Sequence, residues 1–372
     1  MTWSWIGVDE AGYGARLGPM VVSASWWQID SAEWNPKSLR DADFLQKIDG
    51  WSWQSQFAAK AVGAVEHSPP HLVADSKKVY QSGQGLNKLA RIVTSLLHAI
   101  EQARTPSPPG TRTKRADLNE LSDHGTDERP TDASELHAAW LSASEAYAGH
   151  ARRVQPHDPD SWPYWLTASC REGSSPSWAN DPADLSSEAN AWASTTVRPS
   201  GLFSALVSEH EFNQGLIQHG NKAHLLSATS LLLANHVLQL CPAGQTVVID
   251  FDRHGGRKRY LPLLVEHFAA DWPQVLGETE RESSYLWEAG DRRVFFRFTV
   301  DGEQRYPVAA ASLASKYARE LGMHCVNTFW QRLIPNLPAS AGYPVDAARM
   351  LAEMQSAIQP LPVPLAELWR NA

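Results

Sequence analysis

Apolar and polar positions along the chain trace strands alternating with helices. Ile6 and Val8 lead into a glycine-rich turn, and Met20 to Trp27 is an apolar run rich in valine and tryptophan. Residues 3–28 therefore predict strand, turn, strand. Residues 86–101 carry Leu89, Ile92, Val93, Leu96, Leu97 and Ile100 at helical spacing. Residues 202–208 suit a strand and 222–240 an amphipathic helix. Thr246 to Phe251 is a compact β-branched run of the kind buried inside a sheet. Residues 258–269 predict a helix, and Arg293 to Val300 a strand. Val308 to Met323 predicts a helix with Pro307 at its start, where the missing N–H costs nothing. An initial hairpin followed by alternating strands and helices argues for an α/β fold with a mixed sheet.

The pattern is interrupted once. From Arg104 to Trp192 the chain is rich in Pro, Ser, Asp and Glu, as in "TPSPPGTRTKRADLNELSDHGTDERPTDAS". Such a composition suits an insertion whose first part is a disordered loop, with a helix over 133–152. The expected organisation is one α/β domain from 1–103 and 193–372, with 104–192 inserted into it. Composition adds bounds. Of the 372 residues, 43% are hydrophobic and 20% charged, ordinary for a soluble protein with a sizeable core. No apolar run approaches the roughly 18 residues of a membrane span, and no basic, then apolar leader opens the sequence. Cys170, Cys241 and Cys325 are scattered, without a disulfide or metal-ligand spacing. The expected setting is cytoplasmic. The net charge of −8 looks unfavourable for a partner of nucleic acid, but residues 101–200 hold −6 of it. The remainder, near neutral, can still carry a local basic groove. Sixteen tryptophans are expected mainly in packing rather than in base stacking.

Three constellations carry candidate chemistry. In "GVDEAGYGARLGP", Asp9 and Glu10 close an apolar strand and face a loop with Gly12, Gly14 and Gly18. Neighbouring strand residues point to opposite faces, so two adjacent acids at a strand end reach two sides of one cation cluster. A solvated strand end is the plain alternative. In "VVIDFDRHGGRKRY", Asp250 and Asp252 share a strand face, and Arg253, Arg257, Lys258 and Arg259 follow a Gly255–Gly256 turn. Acids beside bases suit a site for metal and polyanion together, or simply an exposed basic turn. In "DGEQRYPVAAASLASKYAREL", Asp301 and Glu303 precede a helix on which Ser312 and Lys316 share a face. Taken alone, that segment is a well-made helix start.

Together these segments resemble the type 2 ribonuclease H (ribonuclease HII) family. "GVDEAGYGARLGPMVVSA" is similar to its opening motif, "ADSKKV" to its DSKKL element and "HLLSATSLLLA" to its NILQAT helix. "VVID" resembles its apolar strand ending in Asp, "AAASLASKYARELGM" its AAAS helix, and "GYP" at Gly342 to Pro344 its late motif. The elements occur in family order. The resemblance implies a ribonuclease H-like fold, a mixed sheet flanked by helices with a C-terminal helical segment. It implies an endonuclease cleaving the RNA strand of RNA–DNA hybrids, or ribonucleotides embedded in DNA, with two Mg²⁺ or Mn²⁺ ions. Carried over, Asp9, Glu10, Asp250 and Glu303 would be the metal-binding carboxylates, with Asp252 and Asp301 as alternates and Asp9 as the bridging ligand. Gly12, Tyr13, Gly14, Ser76, Lys77, Arg253, Arg257, Lys316 and Tyr343 would contact nucleic acid, Tyr343 against the sugar at the RNA–DNA junction.

The chain departs from the pattern. Tyr13 stands where the family has Arg, in the loop implicated in sensing the ribose 2′-OH, and Ala341 stands where Lys is usual. Glu303 requires one residue fewer before the AAAS helix than the family spacing. These departures keep two further readings open: a protein of the same fold that binds nucleic acid without cutting it, and a nuclease for another structured nucleic acid.

Overall fold

A computed structural model of the chain describes residues 2–30, 40–51, 69–80, 86–103, 185–194, 196–268 and 272–371. Most of the expected insertion, with its helix over 133–152, lies outside the described residues.

The described elements run β1 (Thr2–Ala11), β2 (Met20–Asp30), α1 (Asp41–Asp49), α2 (Pro69–Leu72), α3 (Ser76–Val79), α4 (Leu86–Ala103), α5 (Leu185–Asn190) and β3 (Val197–Val207). They continue with α6 (Glu209–His219), α7 (Lys222–Leu240), β4 (Val247–Asp252), α8 (Leu261–Phe268), β5 (Gln274–Glu278), β6 (Glu282–Ala289) and β7 (Arg292–Thr299). A 3₁₀ turn at Gly302–Gln304 precedes α9 (Tyr306–Leu333), α10 (Pro344–Ala357) and α11 (Leu365–Leu368). The fold is the mixed α/β class expected. Seven strands form one sheet in the order β3-β2-β1-β4-β7-β6-β5. β4 lies parallel between β1 and β7, and the flanking pairs are antiparallel.

Strand alternation divides the core in two. Trp3, Trp5, Val21, Trp27, Val248 and Phe295 face α4 and α9 on one side. Ile6, Val8, Val22, Ile249, Phe251 and Phe296 face α7 and α8 on the other. α9 seats on β1 because Gly7 leaves room: a Cβ there would fall 2.1 Å from the Pro307 carbonyl carbon. Trp3, Trp5, Trp27, Trp192 and Trp330 are among the largest fully buried side chains, so packing accounts for these tryptophans.

The structure adds to the reading of the sequence at three places. Residues 185–192, the end of the expected insertion, pack on the domain: Trp192 is buried against Trp27, and α5 packs on α4. The hairpin β5–β6 extends the sheet beyond the strands read from the sequence, because its short alternations are interrupted by Gly277 and by the polar turn at 279–281. Cys325, expected as a lone thiol, is disulfide-bonded, and Cys241 is free and buried. Sequence spacing does not reveal which cysteines a fold brings together, so cysteine usage gives no argument for a reducing compartment here. Among the described residues, no helix is long and apolar enough to cross a membrane.

Candidate active site

The parallel pairing of β1 with β4 places the first two acidic segments. Gly7 lies beside Asp250 and Val8 beside Phe251, so one further step along both strands brings Asp9 beside Asp252. Asp9 and Asp252 thus end neighbouring parallel strands, where α/β sheets commonly place functional groups. Glu303 joins them from the 3₁₀ turn, and Asp252 is fastened to that turn by the Gly302 N–H (2.7 Å to Oδ1).

Asp9, Glu10, Asp252 and Glu303 lie near enough to act on one another's charge. Burial, then Glu10, Asp252 and Glu303, push the Asp9 carboxyl well above the usual carboxylate range. Burial and Asp252 push Glu10 up to about 7. Asp252 is also raised, by burial and by Glu303 and Asp301. The Glu10 N–H donates to Asp9 Oδ1 at 2.8 Å, and Ser315 Oγ donates to the Asp9 carbonyl at 2.9 Å.

Asp250 is not brought into this group. Its side chain is fully buried and bound by Arg297 Nε (2.6 Å), Arg297 Nη2 (2.8 Å) and Trp5 Nε1 (2.5 Å). Burial works to raise its carboxyl, but Arg297 and Arg305 override it and hold it below the usual range. The two aspartates do share a face, as their spacing requires. Asp250 sits one pleat deeper, opposite Arg297 on β7. The third place in the cluster, expected for Asp250, is occupied by its alternate, Asp252. Asp301 also stands apart. Its side chain is 66% exposed at a left-handed turn (φ 60°), 3.9 Å from Arg281. Glu303 instead accepts the Ser76 N–H at 2.5 Å.

Ser76 and Lys316 meet over this edge. Lys316 Nζ donates to Ser76 Oγ (2.6 Å) and Ser312 Oγ approaches it at 3.1 Å. Burial lowers the Lys316 ammonium pKa, while Glu303 and Asp9 work to raise it. A cavity of about 420 Å³ opens beside the acids, lined among others by Trp51, Lys77, Lys78, Asp252, Asp301 and Glu303. Gly14 is exposed in the loop after β1, and Lys222 Nζ lies 5.0 Å from the Tyr13 ring centre. Tyr343 is half exposed, with Arg319 5.5 Å from its ring centre.

The basic turn after β4 is largely committed elsewhere. Arg253 donates to the carbonyls of Glu280 (2.6 Å) and Thr279 (3.1 Å), and Lys258 pairs with Glu280 (2.6 Å). Arg259 lies 3.6 Å from Glu278, and Arg257 keeps a buried Nε without a hydrogen-bond partner among the described residues. No local pattern marks these pairings, because their partners lie on the β5–β6 hairpin, distant in sequence. Arg297, Arg305, Arg319 and Arg370 were also missed; nothing local marks an arginine that will be buried.

No protein-family model matches the chain, and no curated protein matches it. Among solved structures, the chain is similar to a PCNA:RNase HII complex from Archaeoglobus fulgidus, at 12% identity over 99% of this chain and 95% of that one, with a TM-score of 0.35. It is similar to ribonuclease H2 from Pyrococcus horikoshii OT3 at 13% identity over 98% and 92%, with a TM-score of 0.39. It is similar to Bst-RNase HIII in complex with Mn²⁺ at 14% identity over 99% and 66%, with a TM-score of 0.34. All three are ribonucleases H. Likeness at this level carries no argument about chemistry, which rests on the side chains above.

Proposed function

We propose that the chain is a divalent-metal-dependent endonuclease of the type 2 ribonuclease H kind, acting on RNA–DNA hybrids or on ribonucleotides embedded in DNA. The observation that carries the proposal is the mutual approach of Asp9, Glu10, Asp252 and Glu303, brought from three separate segments to the ends of β1 and β4. The ordered motifs of the sequence support the substrate class.

The donor set fits a hard cation. It is made of carboxylate oxygens, without His or Cys, as Mg²⁺ and Mn²⁺ prefer. Buried acids that raise one another's pKa are held apart from full ionisation, and a divalent ion relieves that repulsion. Among the described residues, no three acids stand in an ion-holding arrangement as they are, so side-chain rotation would complete the site. Asp9, Glu10, Asp252 and Glu303 would hold the ions. When bound there, such ions supply charge neutralisation at a phosphodiester and a more acidic water.

The chain's own residues would bind and orient the substrate. Among the described residues, the Tyr13 and Gly14 N–H groups meet no hydrogen-bond acceptor, which leaves both for a phosphate or sugar oxygen. Lys316 and Lys77 would add positive charge beside the acids, with Ser76 Oγ holding Lys316 in place. The half-exposed Tyr343 ring would pack on a sugar.

The test is cleavage of an RNA–DNA hybrid, a duplex with a single ribonucleotide and an all-DNA duplex, in Mg²⁺, in Mn²⁺ and in chelator. The expected result is metal-dependent cutting of the first two, leaving 3′-hydroxyl and 5′-phosphate ends. The loosely spaced acids and Tyr13 favour a second reading, a nucleic-acid-binding protein without cleavage. Binding of all three substrates with none cut, in either metal, would establish it. Cutting of the all-DNA duplex would instead point to a nuclease for another structured nucleic acid.

A further inference from the structure

Two buried guanidinium groups hold the loop that follows Asp9 and Glu10. Arg319, midway along α9, donates through Nη1 to the Pro19 carbonyl (2.5 Å) and through Nη2 to the Ala341 carbonyl (2.8 Å). The same guanidinium lies 5.5 Å from the Tyr343 ring centre. One side chain thus ties the β1–β2 loop to the segment carrying Tyr343. Both segments close tightly on it. A Cβ at Gly12 would fall 2.7 Å from Arg319 Cδ, and one at Gly342 would fall 2.9 Å from Arg319 Nη2; both glycines have positive φ, 79° and 80°.

Arg370 reaches the same loop from the other side, after α11. Its Nη2 donates to the Gly12 carbonyl at 2.7 Å, and its guanidinium lies 4.7 Å from the Phe212 ring centre. Its main chain is stitched to the loop as well: Arg370 N–H donates to the Arg16 carbonyl (2.9 Å), and Arg16 Nη1 donates to the Arg370 carbonyl (3.0 Å). The placement is costly. Arg370 is fully buried, its Nε and Nη1 have no hydrogen-bond partner among the described residues, and burial with Arg319 nearby, against the opposing pull of Glu209, pushes its pKa down to about 9.

What Arg370 provides is direction. In a trans peptide the C=O and N–H point opposite ways. Pinning the Gly12 carbonyl inward turns the Tyr13 N–H outward, toward the open side where Gly14 is exposed. Arg319 does the corresponding work for the Pro19 end of the loop and for Tyr343.

We propose that Arg319 and Arg370 are positioning residues that set the Gly12–Tyr13–Gly14 loop and Tyr343 as one rigid platform for the nucleic-acid backbone. This rests on the nuclease reading for its substrate, but the positioning can be measured without cleavage. The two arginines differ in a way that provides a test. The Arg370 side chain makes a single hydrogen bond to the loop, which a lysine can replace. Arg319 uses two nitrogens on two segments, which a single ammonium cannot span in the same geometry.

The experiment compares wild type with Arg370→Met, Arg370→Lys and Arg319→Lys. Amide hydrogen exchange is followed over residues 11–19 and 341–343, and steady-state cleavage of a duplex with one ribonucleotide is measured in Mn²⁺. Arg370→Met and Arg319→Lys are expected to speed exchange in those segments and to raise KM about tenfold, with a much smaller change in kcat. Arg370→Lys is expected to restore both toward wild type. Unchanged exchange in Arg370→Met and Arg319→Lys would overturn the proposal. So would faster exchange with KM unaltered, since the platform would then not serve the substrate. A uniform loss of kcat with a large fall in Tm, unrelieved in Arg370→Lys, would assign Arg370 to packing alone and overturn its role. If wild type cuts nothing, the nuclease reading fails by itself. The same exchange series, repeated with and without the duplex bound, then decides the platform: protection of residues 11–19 by the duplex, lost in Arg370→Met, supports it, and no protection overturns it.

Discussion

Asp250 and Arg297 face each other across the parallel strands β4 and β7, joined by hydrogen bonds of 2.6 and 2.8 Å, and neither side chain is exposed. Arg297 continues to Asp49 of α1 (2.6 Å), and Arg305, just before α9, comes within 3.7 Å of Asp250. An acid that ends an apolar strand is here the centre of a buried ion network. Asp252, one pleat further on, is the acid left for chemistry.

That contrast predicts opposite phenotypes for two similar substitutions. Asp250→Asn leaves the buried Arg297 with only the half-exposed Asp49 as a close counter-charge, and removing one partner of a buried pair costs up to about 3 to 5 kcal/mol. Asp252→Asn removes a carboxylate whose neighbours repel it, so folding stability should hold or rise while cleavage is lost. Denaturant melts and a cleavage assay on both variants check this. Equal stability of the two would contradict the network.

Asp9→Asn keeps size and removes charge at the most crowded acid. Cleavage of a hybrid or of a duplex with a single ribonucleotide should fall below detection, with duplex affinity changed less than about threefold, because its contacts are to metal rather than to bases. Anisotropy binding alongside cleavage separates the two effects. Residual metal-dependent activity above about 1% of wild type would remove Asp9 from the ligand set.

Glu303→Gln and Asp301→Asn form a pair. Glu303 bonds Ser76 and acts on Asp9 and Asp252, whereas Asp301 is two-thirds exposed and lies 3.9 Å from Arg281. Glu303→Gln should abolish activity and Asp301→Asn should leave most of it, as initial rates in Mn²⁺ will show. The reverse order would hand the fourth position to Asp301.

Metal-free stability should depend on pH in an unusual direction. Glu10 titrates near 7 in the folded chain against an ordinary 4.5, so the folded state holds that proton more tightly than the unfolded one. Stability contributed by the protonated form is present below about 4.5 and is lost as pH rises toward about 7. In chelator, Glu10→Gln should therefore gain on wild type in thermal melts as pH rises from about 4.5 to about 7. A difference that stays constant, or shrinks, would contradict the raised carboxyl.

The basic turn after β4 gives a further prediction. The resemblance names Arg253 and Arg257 as nucleic-acid contacts. Lys258 is paired with Glu280 and Arg253 holds two carbonyls, while Lys77 lines the cavity beside the acids. Lys77→Ala should lower the slope of binding against salt by about 1, and Lys258→Ala should leave it unchanged. Binding isotherms across a salt series decide between them.

The order of elements was legible because hydrophobic periodicity is local. The hairpin of β1 and β2, the helix at 222–240 and the strand near 247–252 each announce themselves within one window of sequence. So did the acidic strand end at Asp9 and Glu10. Helix α6 was missed although Ser208 and Glu211 form its capping box, a signal that stood in the sequence as Ser-x-x-Glu before a segment of weak periodicity. What only the tertiary structure decided was partnership. Asp250 and Asp252 have the same residue type, the same strand and the same face. They differ in which residue of the neighbouring strands lies opposite: Arg297 for one, the end of β1 with Asp9 for the other. Register between strands distant in sequence sets that, and a step of two residues along β4 moves a carboxylate from an arginine's fork into a field of other acids. The same holds for Arg319 and Arg370, whose burial against loop carbonyls follows from how α9 and the segment after α11 pack, not from their neighbours in the chain.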